Sequence, residues 1–107
     1  MTFKALELAL KLVRSLNPIL KILRAHDPDL ADQIARARTS GPLSLSEGRG
    51  RIGKDRFHYW RVAASSFEEI QTALRTAEAA EYVTMDLVRE PLGFCDELLA
   101  VTWTMTH

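Results

Sequence analysis

The chain has 107 residues, 47% of them hydrophobic, with 14 basic side chains balancing 14 acidic ones and a single cysteine. One domain of that length buries about 60–70% of its unfolded surface, and the apolar content excludes a disordered chain. One cysteine excludes an internal disulfide and fits a reducing, cytoplasmic setting, no uncharged run approaches the roughly 18–20 residues of a membrane span, and neutrality argues against a general nucleic-acid coat while favouring self-association.

The first element is an amphipathic helix over about residues 3–25, where Leu6, Leu10, Val13, Leu16, Leu20 and Leu23 recur at spacings of three and four. Lys4, Glu7, Lys11, Arg14 and Lys21 interrupt it, which also excludes a secretory signal. Pro18 kinks this helix or breaks it near Leu16. Asp27 is suited to N-cap a second helix, with Pro28 at its first position and Asp29 and Asp32 near its positive end. Leu30, Ile34 and Ala37 form its buried stripe, Gly41-Pro42 kinks or ends it, and Leu43–Glu47 supplies a further turn and a half.

Gly48, Gly50 and Gly53 mark a loop. Helix three starts near Lys54, and Trp60, Ala63, Phe67, Ile70, Leu74 and Ala77 keep heptad spacing. Tyr82-Val83-Thr84 closes it, and Thr84 is placed to cap a fourth segment with Asp86 in its first turn. Pro91 and Gly93 restrict the solid part of that segment to about Glu90–Thr104. Leu92, Cys95, Leu99 and Thr102 line one side of it, and Phe94, Leu98, Val101 and Met105 the next. No strand or hairpin signal appears. Four helices with short connections predict an all-α fold: an antiparallel up-down-up-down four-helix bundle, residues 1–107, with a kinked second helix. Helix one has Leu8 and Leu12 beside its main stripe and helix four has two stripes, so a second partner, another copy of the chain, is expected.

Charge is uneven. Residues 1–25, 26–35, 36–61 and 62–107 carry net +4, −3, +5 and −6. The middle of the chain therefore holds a basic cluster, Arg36, Arg38, Arg49, Arg51, Lys54, Arg56 and Arg61. Such a cluster is either a nucleic-acid or partner face or one side of electrostatic pairing with the acidic helices, within or between subunits.

The catalytic and cofactor motifs fail on context. Gly48-Arg49-Gly50-Arg51-Ile52-Gly53 matches a dinucleotide fingerprint, and with Lys54 it matches most of a phosphate-binding loop. Both need a preceding strand, and the position that should carry Ser or Thr is Asp55. His26, His58 and His107 lie far apart; Asp55 and His58 make one two-ligand pair, too few for a closed metal site. Cys95 reads as a small core residue, and neither Ser65 nor Ser66 has a local base. No enzyme activity, cofactor or metal is expected. Glu47 and Glu69 stand beside apolar positions and call for basic partners among Arg36, Arg51 and Arg61, in a buried network fixing helix register.

The residues that recur around these positions resemble the small four helix bundle protein family, also called the 23S rRNA intervening-sequence or S23 family. Its pattern around helix two, Q-h-R-R-A then S-[IV]-P-x-N-I-A-E-G (h apolar), corresponds to Gln33-Ile34-Ala35-Arg36-Ala37 and Ser40-Gly41-Pro42-Leu43-Ser44-Leu45-Ser46-Glu47-Gly48. The next segment, about R-x-x-x-x-D-h then R-h-A-x-G-S-x-x-E, corresponds to Arg51 with Asp55-Arg56-Phe57 and to Arg61-Val62-Ala63-Ala64-Ser65-Ser66-Phe67-Glu68-Glu69. Leu74, Ala77, Glu81-Tyr82-Val83 and the ending Leu98–His107 extend the likeness over about residues 6–107. Ala35, Ser44, Ser65 and Glu81 depart from the family's Arg, Asn, Gly and Gly; Ser65 in place of Gly implies looser helix packing there.

The resemblance implies an antiparallel bundle assembled as a homopentameric ring, with no typical enzyme activity. Some members are encoded within ribosomal RNA insertions. A related branch serves diversity-generating retroelements as an accessory protein partnering a reverse transcriptase and nucleic acid. The matched Arg36, Pro42, Glu47, Gly48, Arg51, Asp55, Ser66 and Glu69 then have two readings. One is an interhelix polar network, favoured because Pro, Gly and paired Arg and Glu have direct structural uses. The other is a contact surface. The expected function is a non-catalytic oligomeric accessory or scaffold protein contacting RNA, DNA or a nucleic-acid enzyme through Arg36, Arg38, Arg49, Arg51, Lys54, Arg56 and Arg61. The alternative is a protein–protein module without nucleic acid.

Overall fold

In the computed structural model, which describes residues 2–107, the chain forms four helices: α1 (Lys4–His26), α2 (Pro28–Arg49), α3 (Gly53–Ala79) and α4 (Met85–Thr106). No strand occurs among the described residues. Asp27 alone joins the first two helices. Its N–H donates to Leu23 O at 2.7 Å, closing α1, and its carboxylate accepts from Leu30 N at 3.0 Å, opening α2. The cap and first-position proline predicted there are both in place. Thr84 precedes α4 as expected, but its hydroxyl makes no cap bond; its carbonyl receives Leu87 N and Val88 N instead.

Connections this short force antiparallel neighbours. Each helix lies beside two others, α1 against α2 and α4, and α3 against α2 and α4, in a rod of 42 × 22 × 22 Å. The core runs down its axis. The heptad stripe of α3 is buried as predicted, from Ala63 through Phe67, Ile70 and Leu74 to Ala77, while Trp60 is half-buried at the end.

Three expectations need correction. First, α4 runs through Pro91 from Met85 instead of starting near Glu90; α1 and α2 likewise continue past Pro18 and Pro42, so neither proline ends its helix. A mid-helix proline costs about 3 kcal/mol. Here buried residues on both sides of each one, such as Leu16 and Ile19 or Val88 and Cys95, keep the helix continuous. Second, Gly48 is not in a loop but buried in the last turn of α2, which leaves only Gly50–Ile52 between α2 and α3.

Third, the core face of the first half of α1 is rotated from the predicted one. Leu16, Leu20 and Leu23 are buried as predicted, but Ala5, Ala9, Leu12 and Ile19 are buried with them, and Leu6, Leu10 and Val13 are only half-buried. Lys4, Glu7, Lys11, Arg14 and Lys21 mark one exposed stripe, and the face opposite it holds small alanines that an apolar count by leucine and valine passes over. On α4 the two predicted stripes merge: Val88, Pro91, Cys95, Leu98 and Thr102 form one buried line. Cys95 is fully buried as expected of a core residue, and burial pushes its thiol up to about 12.

The α3–α4 turn stores strain. Glu81 sits at φ 64°, the left-handed region, with Tyr82 N donating to Ala77 O at 3.0 Å across it. This is the helix-ending turn that favours glycine, and a side chain there costs about 1–2 kcal/mol. Glu81→Gly is expected to raise stability by about 1 kcal/mol, read as a higher urea midpoint with an unchanged m-value. A lower midpoint would show that the exposed Glu81 side chain makes a compensating contact.

Candidate nucleic-acid interface

The antiparallel order brings the start of α1, the α2–α3 junction and the end of α4 to one end of the rod. Phe3 lies 6.4 Å from Trp60, ring to ring, and under the Arg49 guanidinium at 5.0 Å. Arg61 lines a groove with Trp103 and His107. The opposite end gathers the α1–α2 and α3–α4 turns, with His26 stacked on Tyr82 at 5.5 Å. Asp27, Asp29, Glu78, Glu81 and Asp86 fall at that far end. Basic and acidic blocks are thus separated along the long axis. Of the ion pairs Arg24–Asp32, Glu47–Arg51 and Asp86–Arg89, none links the basic block to the acidic helices.

At the junction Gly48 lets α3 approach α2 closely: a Cβ there would stand 2.5 Å from Trp60 Cδ1. Trp60 Nε1 donates to Leu45 O at 3.3 Å. Arg56 donates from Nε to Gly48 O at 3.2 Å, a carbonyl shared with Arg51 N, and from Nη2 to Arg49 O at 3.1 Å, tying α3 to the last turn of α2. Its guanidinium also lies 5.3 Å from the Trp60 ring. Arg51 donates to Glu47 Oε1 at 2.6 and 3.1 Å and lies 5.3 Å from the Tyr59 ring. The hydrogen bond from Arg51 to Glu47 holds its pKa above the ordinary value, with Tyr59 contributing next. Arg61 lies 5.9 Å from the Phe57 ring.

The predicted basic residues therefore divide. Arg49, Arg51, Lys54, Arg56 and Arg61 share the junction end. Arg38 instead turns to α1, donating to Asn17 Oδ1 at 2.7 Å and Val13 O at 3.4 Å. Arg36 is exposed on the outer face of α2, in a groove of about 840 Å³ with Asp32, Leu43, Glu47 and Tyr59.

The buried polar network predicted for Arg36, Glu47, Arg51, Asp55, Ser66 and Glu69 is not what forms. Glu47 and Arg51 pair on the surface, one turn apart. Asp55 and Glu69 are exposed, and Arg36 makes no ion pair among the described residues. Ser66 is buried but joins Ser40, their Oγ atoms 3.1 Å apart across α2 and α3. Adjacency in sequence to an apolar residue put Glu47 and Glu69 near the core on paper; on a helix, neighbours in sequence point about 100° apart. Ser65 is exposed, so its replacement of glycine loosens no packing.

Sequence reasoning missed the rings. The run Arg56-Phe57-His58-Tyr59-Trp60-Arg61 interleaves aromatic and basic residues, and that alternation was the available signal. Among the described residues no three His, Cys, Asp or Glu come together to hold a metal, and no helix is long and apolar enough to cross a membrane.

The profile of the 23S rRNA-intervening sequence protein family matches residues 1–103. A solved structure from Bacteroides thetaiotaomicron, a protein with unknown function from the S23 ribosomal protein family, superposes with a TM-score of 0.83 at 19% identity, covering 95% of this chain and 97% of that one. At that identity the likeness shows a shared fold. No match is found among curated proteins.

Proposed function

The chain belongs to the 23S rRNA-intervening sequence protein family, and from that premise we propose that it is a non-catalytic, self-associating accessory protein. Its junction end would contact a polynucleotide, or an enzyme working on one such as a reverse transcriptase. One observation carries the reading: the fold gathers Arg49, Arg51, Lys54, Arg56 and Arg61 at one end of the rod and most acidic turns at the other. A polyanion meets an excess of cations there, the exposed Glu47 and Asp55 sharing the junction with five basic side chains, and repeated copies in an oligomer would add their weak contacts. Self-association rests on exposed apolar side chains, Leu43 at 64% and Trp103 at 63%.

The test is binding of labelled RNA and DNA across a salt series. Arg56 stays intact because it ties α3 to α2. In its place Arg51→Gln, Lys54→Gln and Arg61→Gln are combined; the only ion pair among them is the exposed Glu47–Arg51, worth little to stability. Each lost phosphate contact flattens the salt slope by about 0.7 for single strands, so the triple variant is expected to lose about two units of slope while melting like the parent. Salt-independent or absent binding by the parent protein at low salt would shift the reading to a protein partner, for which the Leu43 groove on α2 is the surface the structure offers.

A further inference from the structure

The outward face of the first turns of α3 carries Lys54, Phe57, His58 and Arg61, spaced i, i+3, i+4 and i+7, all exposed and with no ion pair to Lys54 or Arg61 among the described residues. Phe57 is 38% exposed, a large ring left at the surface between two cations. It is held rather than loose: its ring meets Trp60 edge-on at 6.4 Å and 63°, and the Arg61 guanidinium lies 5.9 Å from its centroid. His58 stands beside Tyr59, ring centroids 5.3 Å apart at 70°.

Cations alone would suit any polyanion. A ring fixed between them suits one whose aromatic faces are free. In a duplex the bases are already stacked and the phosphates are what a helix end touches; in a single strand every base offers a face to a ring or a guanidinium plane. The stripe from Lys54 to Arg61 rises about 10 Å, the length of about three bases stacked at about 3.4 Å. It is bounded by Glu68 and Glu69 two turns on, which repel a longer track.

We infer that this stripe is a binding site for single-stranded polynucleotide, with Lys54 and Arg61 on the phosphates and Phe57 stacking a base. The inference rests on the function proposed above and names its ligand. RNA and DNA share the chemistry involved, and separate arms of the experiment tell them apart.

The experiment measures fluorescence-anisotropy affinities of the full chain for labelled oligo-dT, oligo-rU, oligo-rA and a duplex of equal length, with Phe57→Leu, Phe57→Tyr and the Lys54→Gln/Arg61→Gln pair. Single strands are expected to bind more tightly than the duplex. Phe57→Leu should weaken single-strand binding about tenfold with the salt slope unchanged, while Phe57→Tyr, which keeps the ring and controls for folding, binds like the parent. The Lys54→Gln/Arg61→Gln pair should flatten the slope and leave the preference for single strands in place. Equal binding of duplex and single strand with a silent Phe57→Leu would overturn the stacking site alone, leaving the broader nucleic-acid reading standing. No binding of any oligonucleotide at low salt would overturn both, and binding only to anionic vesicles or acidic peptides would assign the stripe to another partner.

Discussion

Gly41→Ala is expected to destabilise the bundle by about 2 kcal/mol, although alanine is the better helix former by about 1 kcal/mol. The reason is a single close approach. A Cβ on Gly41 would lie 2.5 Å from Cε1 of Phe67, 3.0 Å from Cζ and 3.2 Å from Cδ1. Phe67 is fully buried, so its ring has nowhere to swing without displacing α2 from α3. Overfilling a packed core costs about 1–3 kcal/mol, and here that exceeds the gain in helix propensity. Gly93→Ala should act in the opposite direction: it lies inside α4 with nothing within 4 Å of the added methyl, and stability should rise by about 1 kcal/mol. Urea titration of the two variants reads opposite shifts in midpoint. Phe67→Leu added to Gly41→Ala supplies the complement, since the smaller side chain vacates the space; the pair should be less damaging than its two members added together. Strict additivity would mean that α2 moves away from α3 at no cost and that the close contact holds nothing.

The same contact explains what could and could not be read from residues in order. Asp27-Pro28 announces a helix boundary by local chemistry, an oxygen acceptor followed by a fixed φ, and the boundary falls there. The stripe on α3 is legible because polar residues flank it on both sides. Gly41 and Gly48 carry the opposite lesson. Glycine is locally a breaker, so Gly48 read as a loop; its use here is to admit Trp60, and that is visible only once α3 is in place. Pro91 misleads for a related reason, since a local penalty of about 3 kcal/mol is outvoted by the buried line on either side of it.

The candidate interface was legible as charge and not as geometry. Counting arginines locates the cluster. It does not separate Arg56, whose donors tie α3 to the end of α2, or Arg38, whose donors reach α1, from Lys54 and Arg61, which face solvent. Hydrogen-bond partners decide that division, and they lie seven to 25 positions away in the chain.

Gly48→Ala tests whether the junction is a fixed surface. The added methyl would meet Trp60 Cδ1 at 2.5 Å, Trp60 Nε1 at 2.6 Å and the Arg56 backbone carbonyl at 3.1 Å. The indole and the backbone are both tied down: Trp60 donates to Leu45 O at 3.3 Å, and Arg56 donates back to Gly48 O at 3.2 Å. Relief therefore requires α3 to lift from α2 at its first turns, stretching both hydrogen bonds, at a cost of about 2–3 kcal/mol. In a Trp103→Phe background Trp60 is the sole remaining tryptophan, and its emission should shift to the red as the ring becomes more exposed. Gly50→Ala, where the nearest atom to the new methyl is 3.6 Å away, is the control expected to do neither. Gly48→Ala removes no charge, yet lifting α3 moves Lys54, Phe57 and Arg61 away from Arg49 and Arg51. If the junction binds polynucleotide as one assembled surface, affinity should fall about tenfold or more, the scale of one lost stacking contact, with all its arginines present. Full affinity in a variant whose Trp60 emission has shifted would show that the cations act independently, as a flexible counter-charge rather than as an assembled site.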